Sequence, residues 1–140
     1  MTEYKKIFVD TSPFIYYLEN NTTYVKSLKE FFDHCISKNI MLITSTITIE
    51  EYLVYPFKIN NNLMIDNFLT FISVLRTKIL NIDSKIAINA ARLRSKYEKI
   101  KAMDALQISA CEIEECDLFL TNDNQLKKIR EINCKLVSEL

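Results

Sequence analysis

Acidic side chains supply the most suggestive chemistry in this 140-residue chain. Asp10 ends the apolar run Ile7-Phe8-Val9, and Asp123 follows Leu118-Phe119-Leu120 after Thr121 and Asn122. Glu51 falls in the first turns of a helix predicted after the run Ile40 to Thr44, and Asp104 near the start of one predicted from Met103 to Glu115. Ligands of open parallel sheets bind just beyond the carboxyl ends of the strands, so acids placed there are candidates for function. Several carboxylates converging without histidine or cysteine suit a hard, oxygen-preferring cation such as Mg²⁺ or Mn²⁺, which relieves their mutual repulsion. The chemistry open to such a centre is activation of water and stabilisation of charge developing on phosphate.

Each acid also has an ordinary structural use. Asp123 can cap a short helix at 124–129, Asp104 can complement a helix dipole, and Glu51 can close a capping box with Thr48 in T-I-E-E. Asp10 can cap a helix starting near Pro13, although an acid at the end of a buried strand is costly unless solvated, hydrogen-bonded or metal-bound. From residue types and spacing alone, both readings stay open.

The elements that must position these acids alternate. Lys6 to Val9, Ile40 to Thr44, Ile79 to Ile82, Leu118 to Leu120 and Lys135 to Val137 read as short apolar strands. Helices are predicted from about Thr11, from Thr23 to Lys38, from Ser45 to about Val54 with Pro56 closing it, from Met64 to Arg76, and from Asp83 and Ser84 to about Tyr97. The stripe Ile86, Ala90, Leu93 and Tyr97 marks that last helix as one lying on a core. Alternation of this kind predicts an α/β fold, a three-layer α/β/α sandwich around a mainly parallel twisted sheet of four to five strands, in one domain over 1–140.

Composition removes several rivals. Lys plus Arg and Asp plus Glu both number 18, so no whole-molecule field draws the chain to a polyanion and any attraction must be local. Glycine is absent, which excludes the Gly-rich phosphate loops of P-loop and dinucleotide-binding proteins. Cys35, Cys111, Cys116 and Cys134 form no C-x-x-C pair and the single histidine is His34, so zinc is a poor fit and the thiols read as small hydrophobes. No run approaches the length of a membrane span and no secretory h-region is visible, which predicts a cytoplasmic protein. Histidine-based acid–base cleavage of RNA is excluded for want of a histidine near the acids. An aspartyl-phosphate mechanism wants a second Asp two residues after the first, where this chain has Ser12.

Five blocks then stand in order: I-F-V-D-T-S-P at 7–13, T-S-T-I-T-I-E-E-Y-L-V-Y-P at 44–56, A-R-L-R at 91–94, D-A-L-Q-I-S-A at 104–110 and D-L-F-L-T-N-D at 117–123. On these the chain, from about residue 5 to 130, resembles the PIN-domain ribonucleases, especially the VapC-like toxins of toxin–antitoxin pairs. The resemblance implies a metal-dependent endoribonuclease using Mg²⁺ or Mn²⁺, with Asp10, Glu51, Asp104 and Asp123 as the metal-binding acids and Ser12 and Thr121 as supporting hydroxyls. Register selects Glu51 over Glu50, since Ser45, Thr48, Glu51 and Leu53 fit the family's S-x-x-T-x-x-E-x-L pattern. Arg94, with Arg92, Lys96 and Lys101, is the candidate RNA contact; the alternative for these cations is a solvated helix face. A small antitoxin and a second copy of the chain are the implied partners, with Phe14, Tyr16 and Tyr17 as interface or core. A catalytically idle PIN-like scaffold or RNA-binding module is the alternative function, against which the complete acid set speaks.

Overall fold

The computed structural model describes residues 3–140. Five strands form one sheet: β1 (Lys6–Val9), β2 (Met41–Ser45), β3 (Lys78–Leu80), β4 (Leu118–Thr121) and β5 (Cys134–Leu136). Six α-helices join them: α1 (Thr11–Leu18), α2 (Val25–Ser37), α3 (Thr46–Lys58), α4 (Asn62–Val74), α5 (Ser84–Lys96) and α6 (Ala102–Ile113). Every strand pairing is parallel and the order is β3-β2-β1-β4-β5. The chain builds outward from β1 through β2 to β3, then returns to place β4 on the other side of β1. The reversal lies between β1 and β4, where open sheets of this class leave a crevice.

Strand residues alternate between two cores, as the pleat requires. Ile7, Val9, Leu42, Leu118 and Leu120 face Phe14, Leu28, Phe32 and Phe68 of α1, α2 and α4, together with Tyr52 of α3. Phe8, Ile43 and Phe119 face Ile86, Ala90 and Leu93 of α5 and Ala105 and Ile108 of α6. Stacked rings close each side, with Tyr52 and Phe68 centroids 4.1 Å apart and Phe8 and Phe119 5.4 Å apart. Cys35 and Cys111 are buried in opposite cores and behave as small apolar groups. Among the described residues no helix is long and apolar enough to cross a membrane.

Lacking glycine, the chain ends five helices on other residues in the left-handed conformation: Asn20, Asn39, Asn60, Arg76 and Glu115, with φ of 53–57°. At each, the next amide reaches back five residues, as in Asn21 N to the Tyr16 carbonyl at 2.8 Å and Cys116 N to the Cys111 carbonyl at 3.1 Å. Asparagine tolerates this backbone best, and three of the five positions hold it.

Several element ends shift by a residue or two from the sequence reading, β3 ending at Leu80 rather than Ile82 among them, and the end of α3 shifts furthest. Pro56 lies inside α3, which runs on to Lys58. Only the amide that would bond Tyr52 is lost, and burial of the ring at the helix's last turn offsets that loss.

Candidate active site

Register delivers the first acid. Val9 pairs with Leu120, and the Asp10 amide donates to the Leu120 carbonyl at 2.9 Å, which sets Asp10 beside Thr121 at the reversal point. Asp10 also caps α1, its Oδ1 accepting from the Thr11 amide at 2.8 Å. Its structural and functional uses therefore coincide. Oδ1 accepts further from Gln107 Nε2 at 3.3 Å, and Oδ2 accepts from the Thr121 hydroxyl at 2.9 Å. A carboxylate has about four acceptor sites, so these three donors leave one for a ligand.

Asp104 occupies the first turn of α6, where the helix dipole favours an acid. Glu51 projects from the second turn of α3, and its Oε1 accepts from the Thr11 hydroxyl at 2.7 Å. Ser45, not Thr48, caps α3 through the Ile47 amide at 3.1 Å, so Glu51 closes no capping box. Asp123 begins the 3-10 turn Asn124–Lys128, its Oδ1 accepting from the Gln125 amide at 3.0 Å.

All four acids line one open cleft of about 580 Å³, with Thr11, Ser12, Tyr16, Thr121 and Asn122. Glu50 is exposed and stands outside it. Burial pushes the Asp104 carboxyl up to about 6, and the charges of Asp10, Asp123 and Glu51 push in the same direction. Burial likewise raises Asp10, opposed by its hydrogen bonds from Thr11, Thr121 and Gln107. Among the described residues no three acids are already drawn into a ready ligand cage; Thr11, Thr121, Gln107 and the Gln125 amide are the donors that engage Glu51, Asp10 and Asp123. The donor set is oxygen only and mutually repelling, which fits a hard divalent cation and gives a soft metal nothing to prefer.

Below the acids runs a network that residue spacing did not point to. Gln107 is 1% exposed; its Nε2 also donates to the Thr48 hydroxyl at 2.8 Å, and its Oε1 accepts from the Ser45 hydroxyl. The Thr44 hydroxyl donates to the Val9 carbonyl at 2.8 Å and lies 2.7 Å from that of Thr48. Thr121 accepts from the Asp123 amide at 3.2 Å while donating to Asp10, linking two acids. The Ser12 hydroxyl is buried, lines the cleft and has no hydrogen-bond partner among the described residues, which suits it to a ligand or water there. The available sequence signal was the row of hydroxyls Thr44, Ser45 and Thr48, all fully buried here.

The cations divide. Lys101, Lys99 and Lys128 border a recess shared with Asp104 and Asp123. Arg92 instead pairs with Glu112 at 3.2 Å and Glu131 at 3.9 Å, and Lys96 pairs with Glu131 at 3.1 Å. Arg94 is exposed on α5 and has no ion-pair partner among the described residues. Phe14 is fully buried, while Tyr16 and Tyr17 are half-buried and packed against the same core.

A profile of the PIN domain matches residues 7–132. The chain belongs to the PIN domain family. Among curated proteins, Ribonuclease VapC23 of Mycobacterium tuberculosis (strain CDC 1551 / Oshkosh) is similar, 26% identical over 120 residues, covering 86% of this chain and 94% of that protein. Among solved structures, VapBC2 from Rickettsia felis bound to a promoter DNA fragment superposes with a TM-score of 0.77 at 20% identity, covering 94% of this chain and 98% of that one. A toxin–antitoxin complex from Klebsiella pneumoniae gives 0.70 at 18% identity, covering 96% of this chain and 99% of that one. The PIN fold accounts for the five-stranded parallel sheet and for helices on both of its faces.

Proposed function

We propose that this PIN-domain chain is a divalent-metal-dependent endoribonuclease, the toxin of a toxin–antitoxin pair. The observation that carries the chemistry is the meeting of Asp10, Glu51, Asp104 and Asp123 in one cleft at the β1/β4 reversal. Family membership and the ribonuclease named VapC23 support RNA as the substrate class.

These four carboxylates would hold Mg²⁺ or Mn²⁺, and the bound ion supplies activation of water and neutralisation of charge on the scissile phosphate. Asp10, fixed by three donors, contributes a rigid ligand oxygen, and Thr11 aims Glu51 into the cleft. Asp104 and Asp10, both raised by burial, would each gain from a cation beside them. Lys99, Lys101 and Lys128 are placed to take adjoining phosphates along the recess beside Asp104 and Asp123; Arg94 can extend that path, whereas Arg92 and Lys96 are already paired with Glu112 and Glu131.

The neighbours that are toxin–antitoxin complexes support a small antitoxin as partner. Val54, Tyr55, Phe57 and Leu63, each more than half exposed around the α3–α4 junction, provide apolar surface for that partner or for a second copy of the chain. A cytoplasmic setting belongs to the same reading.

The test is cleavage of RNA by purified protein with Mn²⁺ or with EDTA, comparing E51Q with E50Q. Metal-dependent cleavage leaving 5′-phosphate ends, lost in E51Q and kept in E50Q, is expected. Cleavage that survives EDTA, or that E51Q retains, contradicts the assignment.

A further inference from the structure

We infer that Gln107 is a positioning residue for the acid centre, holding Asp10 in the orientation that presents its remaining lone pair to the cleft; this rests on the metal-dependent reading above. Gln107 sits three residues after Asp104 on α6, so one helix face carries both the cleft acid and the amide beneath it. Its side chain is almost wholly buried, yet both ends are engaged. The polarity of the amide is legible from its partners. Oε1 faces the Ser45 hydroxyl, and the two Nε2 protons go to Asp10 Oδ1 and to Thr48.

Turning the amide over would set its oxygen against the Asp10 carboxylate, two acceptors facing each other, and its nitrogen against Ser45. The Asp10 carboxylate can only accept and so selects the orientation in which Nε2 faces it, while the Ser45 hydroxyl, which accepts from the Ile47 amide, donates its own proton to Oε1. The chain of constraint therefore runs from the α3 cap through Ser45 and Gln107 to Asp10. It ties α6, the end of β2 and the end of β1 at the one point where the acids of three elements must be in register. Purely structural buried amides need no such charged acceptor. Gln107 directs one proton to the carboxylate whose other two donors come from Thr11 and Thr121.

The test replaces Gln107 with Met, similar in volume but without hydrogen bonds, and measures Mn²⁺ affinity by calorimetry without RNA, then kcat and KM on RNA. Partners of this kind typically contribute ~10–100-fold to metal affinity or activity. Q107M is expected to weaken Mn²⁺ binding and lower kcat by that order while KM for RNA changes little. S109A is the control: Ser109 is fully buried on the same helix, donates to the Ile86 carbonyl at 2.7 Å, and does not line the cleft. It should lose stability without losing metal affinity. If Q107M does not fold, S45A, which removes the donor that steadies the amide oxygen, should show a smaller loss in the same direction. Unchanged Mn²⁺ affinity and kcat in Q107M, or in S45A where only that variant folds, overturns the proposal, as does an equal loss in S109A. A wild-type chain that binds no Mn²⁺ overturns the nuclease reading itself, and so the two failures are separable.

Discussion

Asp104 shows how one residue can be costly to the fold and valuable to the site. Its carboxyl is raised to about 6 by burial and by three neighbouring acids, so above that pH the charged form opposes folding. The penalty is complete above about pH 6 and disappears as pH falls toward the ordinary value of 3.8. D104N should therefore melt a few degrees above wild type at pH 7.5 in EDTA, and the gap should close as melts are taken down to pH 4. Adding Mn²⁺ should reverse the order, because only wild type gains full binding free energy. Thr11 gives the opposite case. T11V keeps the shape of the side chain but removes the hydroxyl that aims Glu51, and should lower initial cleavage rates by about tenfold. Asp10 and Asp123 were legible because they follow apolar strands, whereas Glu51 and Asp104 lie on helices and were singled out by the family blocks. Thr11 and Gln107 were not, since a threonine at a helix start and a glutamine in a helix have many uses, and only the folded register brings them to Glu51 and Asp10.

Element by element, the alternation of short apolar runs with amphipathic stretches was enough to read a parallel sheet covered on both faces. The ends were harder. Helix termination in a chain without glycine carries no strong mark, and asparagine is the residue that replaces it at Asn20, Asn39 and Asn60. Arg76 and Glu115 take the same backbone without that help. R76G should stabilise the chain by about 1 kcal/mol by relieving the left-handed strain, read as a rise in thermal midpoint of a few degrees. Arg76 is exposed and takes part in no ion pair among the described residues, so removing its side chain costs little. Pro56 misled the reading for a related reason. Proline ends helices by removing one hydrogen bond, and a buried ring in the last turn offsets that single loss.

Across the whole molecule, a formal charge of zero hides a local division of sign. Acids gather at the β1/β4 reversal, and Lys99, Lys101 and Lys128 stand on one side of them. On the proposed nuclease reading, a polyanion would be held by one wall while its scissile group meets the other. K101A and K128A should each raise KM for RNA with little change in kcat, and removal of each phosphate-binding ammonium should reduce the log–log salt slope by about one. K96A, whose ammonium is committed to Glu131, should leave that slope unchanged. Cleavage itself depends on the acids sharing a cation. The most direct measurement is anomalous diffraction from crystals soaked in Mn²⁺. A peak within bonding distance of Asp10 and at least one other of Glu51, Asp104 and Asp123 is predicted. Mn²⁺ bound only elsewhere, or no peak in the cleft at saturating Mn²⁺, would contradict it.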